Sequence, residues 1–78
     1  MAPEQLRELL RRTPFRPFRL YTSGGQSYDV PGPEWMMVTN RTTALGVPGR
    51  SDDGDVVILI DNLHVTHTIP LTIEQPPA

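Results

Sequence analysis

The longest unbroken apolar run in the chain is VVILI, residues 56–60. Five residues fall far short of the roughly 20 that an apolar membrane-spanning helix needs. The other apolar segments are shorter still and are bounded by Pro, Gly or polar residues. This pattern predicts short strands joined by turns. An unbroken run, unlike an alternating one, predicts a strand covered on both faces.

Size sharpens the constraint. The chain has 78 residues and no cysteine, which makes it one domain near the lower limit for a self-sufficient core. Disulfides and thiolate metal sites are excluded. Burial must then come from tight packing or from association with further copies. Arg7 and Glu8 interrupt the early leucines, and no basic start leads into an apolar segment. A cytoplasmic protein without a membrane partner is the expectation.

Charge is divided unevenly. Residues 1–20 carry five Arg against Glu4 and Glu8, a balance of +3, while residues 21–78 carry two Arg against seven acids, a balance of −5. There is no lysine, and the net charge is −2. A bulk electrostatic nucleic-acid binder needs a stronger basic footprint than this. A local basic face, or a contact between basic and acidic halves of two copies, is compatible with the numbers.

The N-terminal segment reads as a helix over about residues 3–12. Pro3 suits a first turn, Leu6, Leu9 and Leu10 form one stripe, and Glu8 is placed to pair with Arg11 or Arg12. Pro14 disfavours helix at Thr13. A small β domain follows over about residues 15–70. In its first strand Phe18, Leu20 and Thr22 share one face, and Arg19 and Tyr21 share the other. SGGQ, residues 23–26, is a tight turn. Residues 26–39 read as one long strand bent at PGP, a bend of the kind that curls a small sheet into a barrel. TTALGV, VVILI and HVTHTI supply three more strands. The DNL turn separates the last two, and a tail over 71–78 follows. The fold class is mainly β: an N-terminal helix plus a five-stranded SH3-like barrel.

The stretch RRTPFRPFRLYTSGG, residues 11–25, places four Arg, two Phe and a Tyr within eleven positions. Such interleaving suits a nucleic-acid surface. Period-two alternation instead places Phe18 and Leu20 in the core, Phe15 against the helix and the arginines in solvent. If RNA binds, Arg12, Arg16 and Arg19 are the candidate phosphate contacts.

FRLYTSGGQSYDV, VVILIDNLHVTHTIP and the helix before the first strand together resemble the Sm-like proteins, including their bacterial RNA-chaperone branch. The likeness covers roughly residues 4–70 and is architectural. It implies a ring in which the fourth strand of one subunit pairs with the fifth of the next. Val56, Val57, Ile58, Leu59, Ile60, Val65, His67 and Ile69 would line that interface. The family's RNA motifs are less well matched. Asn40 stands near the place of one family ligand, with no second Asn at the family's spacing. Asp61-Asn62 replaces the family's Arg-Gly pair. The resemblance thus implies ring assembly more strongly than RNA binding, with Asn40, Asn62 and His64 completing the candidate RNA contacts.

Other motifs carry less. His64 and His67 are three apart, so a regular strand points them to opposite faces, and no metal motif accompanies them. SDDGD, residues 51–55, lacks the twelve-residue spacing and closing Glu of a calcium loop. Trp35 reads as a structural plug, and Met36 and Met37 as core filling plus a subunit contact. No nucleophile elbow, phosphate loop or acid–base pair appears, and neither a metal nor a cofactor is expected. The function read from sequence is a non-enzymatic, self-assembling binding module. RNA binding and a monomeric SH3-like domain that binds another protein are the alternatives.

Overall fold

The computed structural model describes residues 1–47 and 56–71. The fold is mainly β with one N-terminal helix, α1 (Pro3–Arg11). Pro3 occupies the first turn, and the Gln5 side chain accepts from the Ala2 N–H at 3.2 Å. That satisfies a donor near the helix start that the helix itself cannot. Leu6 is fully buried, with Leu9 and Leu10 packed at its side. The backbone turns extended at Arg12, two residues before Pro14.

Among the described residues six strands follow: β1 (Phe18–Thr22), β2 (Ser27–Val30), β3 (Met36–Val38), β4 (Thr42–Val47), β5 (Val56–Asp61) and β6 (Val65–Pro70). They form two antiparallel three-stranded sheets, ordered β2-β1-β6 and β3-β4-β5. Gly25, with φ +89°, makes the β1–β2 turn, a conformation that costs glycine little. Phe18, Leu20, Val30, Met36, Leu45 and Val65 form the core with Leu6. Phe15 lies against the Phe18 ring at 6.0 Å.

The expected bent strand over residues 26–39 is two strands. A 3-10 turn, Pro33–Trp35, separates β2 from β3, and the two belong to different sheets. Pro31 and Pro33 explain the break, because neither has an N–H to give to a ladder. A second 3-10 turn, Asn62–His64, carries the chain back from β5 to β6. The Asp61 side chain caps it by accepting from the Leu63 N–H at 2.9 Å. Among the described residues the strand pairings give two three-stranded sheets and not one continuous five-stranded ladder.

Two further expectations change. The β1–β6 register shifts between Tyr21 and Thr22, which pair with His67 and Val65 and leave Thr66 as an extra residue. This bulge breaks the alternation, so Val65 enters the core while His67 and Ile69 face outward. The Val65 side chain therefore packs in the core and not against another copy. VVILI is not covered on both faces within one chain either: Val57 and Leu59 are 67% and 69% exposed, while Ile58 and Ile60 are half-buried. The acidic segment 51–55 and the tail beyond Leu71 lie outside the described residues. No helix among the described residues is long and apolar enough to cross a membrane.

Candidate functional site

The arginines separate into paired and unpaired groups. Arg19 and Asp29 are cross-strand partners on the outer face of β1 and β2. Arg19 Nε donates to Asp29 Oδ1 at 2.6 Å, and Nη2 donates to Oδ2 at 3.3 Å. The two-pronged bond holds the Asp29 carboxyl below its usual range and raises the guanidinium further above its own. A phosphate at Arg19 would have to displace that carboxylate. On the helix, Arg7 bonds Glu4 at 3.0 Å and reaches Asn40 Oδ1 at 3.3 Å, and Arg11 bonds Glu8 at 2.8 Å. The Glu8 bond also raises the Arg11 pKa. Arg12 and Arg16 are exposed and make no ion pair among the described residues.

Asn62 is not presented to a ligand. It is 3% exposed. Its Oδ1 accepts from Thr43 Oγ1 at 2.6 Å, its Nδ2 donates to the Thr39 carbonyl at 2.9 Å, and its backbone N–H donates to the Arg41 carbonyl at 2.8 Å. The amide ties the β3–β4 turn to the β5–β6 crossover. No sequence signal marks this tie, because both threonines are distant in the chain.

His64 and His67 occupy separate settings. His64 sits in the second 3-10 turn, with Nδ1 hydrogen-bonded to Ser23 Oγ at 3.1 Å, and its carbonyl accepts from the Ser23 N–H at 2.8 Å. His67 stacks on Tyr21, its cross-strand partner, at 4.6 Å and 6°. Among the described residues no group of three or more His, Cys, Asp or Glu converges to hold a metal. The six candidate nucleic-acid contacts thus do not form one site: Arg19 and Asn40 are bonded to other side chains, Asn62 is buried, and His64 is clasped to Ser23.

A different surface is exposed among the described residues. Thr43 and Leu45 of β4 point into the core, which puts Ala44 and Gly46 on the outer face. The register sets Met37, Ala44 and Leu59 side by side across three strands, with Val57 opposite Gly46. Met37 is 64% exposed, whereas Met36 is buried. Trp35 lies over Gly46. Among the described residues β5 and β6 are each an edge strand of their sheet: β5 bonds only to β4, and β6 only to β1. Val56 and Ile69 are among the exposed apolar residues of those two strands. No protein-family model, curated protein or solved structure matches the chain.

Proposed function

We propose that the protein is a non-enzymatic, Sm-type small barrel that assembles into a homo-oligomeric ring, with β5 of one copy pairing with β6 of the next. The supporting observation is that β5 and β6 each lie at an edge of their sheet among the described residues and are separated in sequence by a single 3-10 turn. An unpaired edge is a template for another chain unless charge, proline or cover blunts it. β5 has no charge before Asp61 and β6 no proline before Pro70. β2, by contrast, carries Asp29 and runs into Pro31. A closed ring removes the β5 and β6 edges in every copy. The arginines Arg12 and Arg16 would then be repeated around the assembly, where RNA or an acidic protein is a suitable partner.

The test is absolute mass by light scattering at low and high salt. A single mass of several subunits that survives high salt is expected. The double variant Val56→Lys/Ile69→Lys, which puts charge on both edges, should reduce that mass. A clean monomer at every concentration overturns the ring and leaves a single-chain interaction domain as the better reading.

A further inference from the structure

The outer face of the β3-β4-β5 sheet is left open by edge pairing, since strands added at an edge extend a sheet without covering it. We infer that this face docks a second copy of the same chain, packed sheet on sheet about a two-fold axis. The contact does not use the β5 or β6 edge, so it stands whether or not the ring closes.

Three observations select that occupant. The first is composition and register. The centre of the face is Met37, Ala44, Leu59 and Val57, adjacent across three strands, and it offers no polar side chain for a polar ligand to bond. Flat apolar sheets bury such faces against each other about 10 Å apart.

The second is area. Met37, Val57 and Leu59 are each about two-thirds exposed, and Leu63, at the end of the strip, is 85% exposed. Their exposed surface is on the order of 500 Å² per copy, the size of the largest apolar patch on a typical monomer. Two copies together would bury on the order of 1,000 Å², the lower bound for a biological contact.

The third is charge at the rim. Glu34 lines the concavity beside Trp35, Met37 and Val57 at one end. Arg41 lines the one beside Asp61 and Leu63 at the other end. Neither makes an ion pair among the described residues. A two-fold axis that crosses the strands reverses one copy against the other. It brings Glu34 of each copy to the end of its mate where Arg41 stands beside Asp61, twice per contact; the Asp61 carboxylate there already accepts from the Leu63 N–H at 2.9 Å, and Arg41 is the complementary charge. An unrelated partner would need that same reversed pattern; a second copy has it by construction.

Sedimentation velocity over a range of concentrations tests this. Met37→Lys/Leu59→Lys should halve the mass of the wild-type assembly. Glu34→Arg and Arg41→Glu, at exposed rim positions where folding is not at risk, should each weaken the two-copy contact on the order of tenfold. Glu34→Arg/Arg41→Glu in one chain should restore it to within about threefold, because the swapped charges again meet across the axis. The edge variant Val56→Lys/Ile69→Lys should still form a two-copy species, which separates loss of the ring from loss of this contact. The inference is overturned if the face variant keeps the wild-type mass, if the charge swap stays as weak as the single changes, or if the edge variant is monomeric throughout.

Discussion

The Thr43 hydroxyl donates to Asn62 Oδ1 at 2.6 Å, and both residues are buried. This bond joins the central strand of one sheet to the turn that leads into the other. Inside the fold neither group has water to fall back on. Thr43→Val keeps the shape and removes the donor, leaving the Asn62 oxygen unsatisfied. The expected loss is about 1–3 kcal/mol, read as a lower urea midpoint with an unchanged slope. A midpoint equal to wild type would mean that the amide has another partner.

Trp35 sets a second prediction. A Cβ at position 46 would lie 2.9 Å from the indole Cε3, closer than atoms can sit. Gly46→Ala therefore pushes the ring off its seat, at an overpacking cost of about 1–3 kcal/mol. Alanine recovers about 0.4–1 kcal/mol by restricting the unfolded chain. The net expectation is a loss on the order of 1 kcal/mol, together with a shift in tryptophan fluorescence. A stabilised variant with unchanged fluorescence would show that the indole does not rest there.

These two contacts mark where sequence reading stops. The helix was legible because Leu6, Leu9 and Leu10 follow one stripe and Pro14 ends it. So was β1, where Phe18 and Leu20 alternate with Arg19 and Tyr21. Both signals are local. The division of residues 26–39 between two sheets was half-legible: the prolines announce a break, but not that the chain changes sheets there. The bulge at Thr66 was hidden, since one extra residue leaves no compositional mark and yet reverses which neighbours of His67 are buried. Asn62 was misplaced for a different reason. A polar residue in a turn looks available to a ligand until Thr39 and Thr43, some twenty residues away, are seen to bond it. The exposure of Val57 and Leu59 could not be read from VVILI, because covering one face or two depends on what packs above the sheet.

The Arg19–Asp29 bond carries a pH dependence with a definite sign. Arg19 lowers the folded-state pKa of Asp29 from its ordinary 3.8, so the native state favours the ionised carboxylate more than the unfolded chain does. The resulting stability is present above the ordinary value. It is lost as pH falls through the lowered one. Both side chains are largely solvated, which limits the contribution to under about 1 kcal/mol. Asp29→Asn should therefore be slightly less stable than wild type near neutral pH and indistinguishable from it once the wild-type carboxyl is protonated. Paired urea titrations at neutral and strongly acid pH check this. A difference that persisted in acid would assign the effect to packing and not to charge.

Arg12 and Arg16 should be dispensable for folding and assembly, since neither is paired among the described residues and neither lies at a proposed contact. Arg12→Ala/Arg16→Ala is expected to change stability by no more than about 0.5 kcal/mol and to leave the sedimenting mass unaltered. Their role would appear only in binding. If the assembly takes up a single-stranded oligonucleotide, each phosphate contact contributes about 0.7 to the slope of log K against log salt. Removing both arginines should flatten that slope by about 1.4 per occupied subunit. Arg19→Ala should leave the slope nearly unchanged, because the Asp29 carboxylate already neutralises that guanidinium. Titrations of the three proteins at several salt concentrations separate the possibilities. A slope that responds to Arg19 and not to Arg12 and Arg16 would move the nucleic-acid surface from the helix end onto the outer face of β1.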